Sequence, residues 1–171
     1  MPRTHNLVEL IETIDDSVDV PTSFAADAGM PATTMVTIRF ATNQTALLDL
    51  SRREGPVWLT VLRSLREEGT PPYVELDAAG RITRLLQPKL QPVVDIQPLD
   101  DGPDLRIEFL YSHAVHVLRR KQPQYAKFLA LLREARRKKF SVWVTETLDK
   151  LEIIDVRPDN LKGAKAKPAG E

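Results

Sequence analysis

The chain has 171 residues, 42% of them apolar and 28% charged, with 24 Lys and Arg against 24 Asp and Glu and no cysteine. Such a length serves one good core or two small ones, and the apolar fraction is that of a folded globular protein, not of a disordered chain. The absence of cysteine excludes disulfide staples, thiolate metal sites and a cysteine nucleophile.

Glu9 and Glu12 interrupt the N-terminal apolar stretch, and no apolar run approaches the roughly 18 residues of a membrane helix. The expected address is therefore cytoplasmic, with no membrane partner. The zero net charge conceals segregation: residues 1–34 carry Arg3 against Glu9, Glu12, Asp15, Asp16, Asp19 and Asp27, whereas residues 113–140 carry nine Lys or Arg and only Glu134. Either an acidic partner or the acidic segment itself can answer the basic part.

Asn6 followed three residues later by Glu9 reads as a capping box. Leu7, Leu10, Ile11 and Ile14 share one face at helical spacing, which predicts a short N-terminal helix over about 7–15. An irregular connector follows, so residues 1–34 form an acidic helix and connector. Residues 35–41 alternate as a half-buried strand, Asn43-Gln44 turns, and residues 45–50 return. Gly55-Pro56 opens a helix, since proline suits its first turn. That helix runs over about 57–68 and stops at Gly69 with Pro71-Pro72 beyond. Residues 73–76 and 81–86 then make a hairpin around Asp77–Gly80.

Residues 89–104, rich in proline and aspartate, read as a linker with a short edge strand near 93–96. The pattern then recurs: Leu105, Ile107 and Phe109 alternate, Ser112-His113 turns, Val115 and Val117 alternate, Pro123 opens a helix to about Lys139, and residues 140–147 and 151–156 form a closing hairpin. Residues 159–171 read as a disordered tail.

Trp58, Val61, Leu62 and Leu65 stand in the first helix where Tyr125, Phe128, Leu129 and Leu132 stand in the second, about 67 residues on, each set preceded by Pro56 or Pro123. These eight residues are the expected structural core. The fold class is α+β: a tandem ββαββ repeat, residues 35–88 and 105–158, forming one pseudo-twofold-symmetric body with two helices packed on antiparallel sheet. A unit near 55 residues is marginal alone, so the copies are expected to share a core and to leave a groove between them.

Chemistry is sparsely signalled. His113 and His116, three apart on one strand, leave opposite faces and cannot share an ion; no metal and no cofactor is expected. Ser112, His113 and Asp149 could be named for nucleophilic catalysis, but no Gly-x-Ser-x-Gly elbow raises the serine. A Ser112 Oγ beyond hydrogen-bond reach of every imidazole would dispose of that reading. The basic run Arg119, Arg120, Lys121, Lys127, Arg133, Arg136, Arg137, Lys138 and Lys139 suits a phosphate-tracking surface, or complements the helix dipole and solvates the outer face. Tyr73, Tyr125 and Trp143 occupy expected core positions, so base-stacking aromatics are missing.

The expected function is accordingly that of a non-catalytic binding or scaffold protein, engaging a protein partner through the inter-repeat groove or a sheet edge. Nucleic-acid association through residues 119–139 is the alternative. Neither the partner's identity nor the oligomeric state is legible.

Overall fold

A computed structural model describes residues 5–15, 35–100 and 102–159. The expected connector at 16–34 and the tail beyond Asp159 lie outside the described residues. The architecture is α+β and mostly strand, with three antiparallel sheets and two helices. The chain divides into two compact units, Met1–Leu85 and Leu86–Glu171, and the buried apolar side chains fall into two clusters, one in each unit. The expectation of one shared core is thus corrected: each unit wraps its strands around its own apolar residues.

In the first unit, β1 (His5–Val8) and β2 (Ile11–Ile14) replace the expected N-terminal helix. A nine-residue helix is marginal in water, whereas here Leu7 and Val8 are buried by pairing with β5 (Tyr73–Leu76), and Ile11 and Ile14 by pairing with β3 (Met35–Phe40). The 3-and-4 spacing was two strand fragments broken at Glu9-Leu10. β3 pairs with β4 (Thr45–Asp49) and β5 with β6 (Ile82–Leu86). A parallel bridge Leu47–Arg81, with Leu47 N–H donating to Gly80 O at 2.9 Å, links β4 to β6. The strands therefore run round a ring that the single chain segment β1–β2 completes.

The second unit closes the same ring. β7 (Lys89–Pro98), expected as linker, is a ten-residue strand. Its first part pairs with β10 (Ser141–Glu146) and its remainder with β8 (Leu105–Phe109), with Pro92 at the changeover, where its missing N–H costs no ladder bond. β8 pairs with β9 (Ser112–Leu118), β10 with β11 (Ile153–Pro158), and the bridge Val117–Glu152, with Val117 N–H to Leu151 O at 3.1 Å, joins β9 to β11.

Each unit carries a 14-residue helix between its third and fourth ring segments, β1–β2 counting as one: α1 (Gly55–Glu68) and α2 (Tyr125–Lys138). The expectation that the second is a turn longer is corrected. Both end in a left-handed residue, Gly69 at φ 63° and Lys139 at φ 56°. Buried positions Leu59, Leu62 and Leu65 stand 70 residues before Leu129, Leu132 and Ala135, and Gly55 stands 70 before Tyr125. The bridge residues Leu47 and Val117 show the same spacing. The 67-residue match is therefore one helical turn out of register: a shift of three carries an i, i+3, i+4, i+7 stripe nearly onto itself. Trp58 and Val61 are half-buried, Leu59 holds the core place beside them, and Pro56 and Pro123 are not equivalent.

Candidate functional site

The second unit gathers polar chemistry on β9. The β8–β9 hairpin turns at Leu110-Tyr111, because Phe109 pairs directly with Ser112; the expected turn at Ser112-His113 is corrected to two residues earlier. Ser112 and His116 then lie four apart on one strand. His116 is 3% exposed, packed edge-on against Phe109 with ring centroids 4.9 Å apart. Its Nε2 is 2.7 Å from Ser112 Oγ, and its Nδ1 meets Glu146 Oε1 at the end of β10. A register shift between Thr145 and Glu146 lets that carboxylate depart from the strand's alternation. Ala114 N–H donates to Ser112 Oγ at 3.3 Å, leaving the serine proton free to face the imidazole.

His113, by contrast, is exposed, and Asp149 sits in the β10–β11 turn. Of the three residues named for catalysis, only Ser112 is in reach of an imidazole, and that imidazole is His116. The acid is Glu146, 30 positions away. No local motif could have signalled it.

Two cavities flank this trio. One of about 250 Å³ is lined by Val94, Arg106, Phe109, Leu110, Ser112 and His113, among others. A second, of about 200 Å³, is lined by Val144, Glu146, Leu148 and Leu151 with Gln87, Lys89 and Thr147. Arg106 NH2 pairs with Glu108 at 3.1 Å, but its buried Nε has no hydrogen-bond partner among the described residues.

Apolar surface collects in the same place. Val94 (47% exposed), Leu110 (58%), Tyr111 (74%) and Val115 (42%) lie on β7, the hairpin tip and β9. Val94 is turned outward at the register shift where β7 leaves Val93 and resumes pairing at Asp95. Tyr111 is an exposed aromatic that the core assignment of Tyr73, Tyr125 and Trp143 does not cover. β9 has β8 on one flank, while among the described residues its other flank is joined only by the bridge at Val117, so there its start is an open edge.

The basic residues are partly engaged already. Arg119 donates to Asp104 at 2.9 Å and to Glu152 at 2.7 Å, holding the exit of β9 to β11, and its bond to Asp104, joined by one from the Arg120 N–H, keeps the Asp104 carboxyl below the usual carboxylate range. Arg120 stacks over Tyr125 at 4.7 Å. Arg136 pairs with Asp95 and Lys138 with Glu134, and Lys127 leans on Gln124 at 3.5 Å. Lys121, Arg133, Arg137 and Lys139 have no ion pair among the described residues. Comparison of the chain with protein-family models, curated proteins and solved structures finds no match.

Proposed function

We propose that the chain is a tandem of two related barrel units and that the second is a protein-binding module, taking an extended segment of a partner along the open start of β9. One observation carries the reading: four of the six large apolar residues that the described surface exposes surround that edge. Clustered apolar surface beside unpaired backbone N–H and C=O groups is what strand addition uses, the backbone supplying affinity and neighbouring pockets the side-chain preference. The strand order resembles a small, partly open five-stranded barrel, a form that often binds through the face of its second and third strands. That resemblance is one of architecture, and the weight rests on the exposed residues.

A photo-crosslinking residue at Tyr111 should capture a defined protein in the native host, and one at Val57 on α1 should not. Tyr111→Glu and Val115→Lys should each weaken that complex at least ~10-fold without lowering the melting temperature. An unchanged complex in both variants overturns the reading.

A second reading has its own observation, the basic residues Lys121, Arg133, Arg137 and Lys139 of the α2 region, which form no ion pair among the described residues. Phosphate contacts by these residues would give binding that falls by orders of magnitude between about 50 and 200 mM salt. No DNA or RNA shift at low salt ends it.

A further inference from the structure

The first unit shows what the trio of the second does not do. At the 70-residue spacing that relates bridge residues and helices, Thr42 stands for Ser112, Ala46 for His116 and Leu76 for Glu146. Ala46 and Leu76 are 1% and 5% exposed members of the first unit's core. A ring of this order therefore closes on plain apolar side chains. The second unit instead places an imidazole and a carboxylate there, at a desolvation cost that two apolar residues would avoid, and ends the chain of hydrogen bonds on a hydroxyl facing a cavity.

We propose that Ser112 is a nucleophile activated by His116 and Glu146, and that the cavity beside it receives the compact acyl group of a carboxylic ester. With Nδ1–H donating to the Glu146 carboxylate, which can only accept, Nε2 is the nitrogen placed to accept from the Ser112 hydroxyl. This is the order of contacts that nucleophile, base and orienting acid require. As Ser112 Oγ bonds to the carbonyl carbon, its proton passes to His116 Nε2. When the tetrahedral adduct collapses, the carbon–oxygen bond to the leaving alcohol breaks and Nε2 returns that proton to the alkoxide. Water repeats the two steps to release the acid and restore the serine. Val94, Phe109 and Leu110 give the acyl chain some apolar wall beside the polar Arg106, Glu108 and His113, and a cavity of about 250 Å³ suits a short chain.

The inference does not depend on protein binding, and either can fail alone. The test treats the full chain with diisopropyl fluorophosphate, which forms an Oγ–P bond, loses fluoride and gives the serine proton to the base. Peptide mapping then compares serines within one molecule, so no variant has to fold. General-base assistance is worth 10² or more, so Ser112 should be modified at least ~100-fold faster than Ser51 or Ser64, and 4-nitrophenyl acetate should release one burst equivalent of nitrophenolate that Ser112→Ala abolishes. Modification of Ser112 no faster than of Ser51 and Ser64, or no adduct on any serine, overturns the proposal.

Discussion

The two units close the same strand order on different material. In the first, the matching places on β4 and β5 hold Ala46 and Leu76, both in the core, and the hairpin tip is polar, Thr42-Asn43-Gln44, with Asn43 taking the left-handed conformation at φ 64°. In the second, those places hold His116 and Glu146, and the tip is Leu110-Tyr111. Folding demands account for the first unit; the second carries residues that folding did not ask for. Departures from a local rule in one of two units with the same strand order are where function is to be sought.

The two cores provide the largest test of this comparison. Leu62→Ala and Leu132→Ala each empty a fully buried site and should cost about 2–5 kcal/mol. Amide hydrogen exchange should accelerate chiefly in the unit that carries the change. Equal acceleration in both units would mean that the cores act as one.

Next comes the start of each helix. Gly55 lies so close to β4 that an added Cβ would sit 2.2 Å from Asp49 O and 2.8 Å from Leu50 Cα, both backbone atoms. The second unit has Tyr125 at the matching place. Gly55→Ala should cost about 3 kcal/mol, because the helix itself must shift, and denaturant midpoints measure it.

The helix ends differ by less. Gly69 and Lys139 both adopt positive φ, a conformation glycine enters without the strain a side chain brings. Gly69→Ala should destabilise by about 1 kcal/mol, and Lys139→Gly, at an exposed position, should stabilise by about 0.5–1 kcal/mol. Thermal melts showing both changes with the same sign would contradict the shared cap geometry.

The smallest effect concerns acid. Asp104 is held below its ordinary range by hydrogen bonds from Arg119 and the Arg120 backbone. A carboxyl lowered in the folded state stabilises above its unfolded titration and loses that contribution as pH falls through the folded value. Asp104→Asn should therefore be less stable than wild type at neutral pH and converge with it in acid. A constant difference across the range would place the stabilisation elsewhere.

Much of this arrangement was legible from local pattern. The alternation at Met35–Phe40, Leu105–Phe109 and Ser141–Glu146, and the apolar stripes of both helices, point to the elements that form. What failed, failed for physical reasons. A stripe slipped by three residues still looks like a stripe, so the repeat was read at 67 and not 70. β1 and β2 exist only through strands 24 or more residues away, beyond any window of local propensity. Neither the pairing of His116 with Glu146 nor the outward aim of Val94 and Tyr111 has a sequence motif, since each depends on register shifts set by neighbouring strands.

Transplanting the first unit's residues into the second distinguishes a Ser112–His116–Glu146 trio that serves function from one that holds the fold. His116→Ala alone leaves a nearly buried carboxylate unpaired and should cost about 3–5 kcal/mol. The double variant His116→Ala/Glu146→Leu should recover to within about 1 kcal/mol of wild type by denaturant unfolding, because the cost lies chiefly in the orphaned charge. A double variant no more stable than His116→Ala alone would show that the trio holds the second unit together, and would contradict the account.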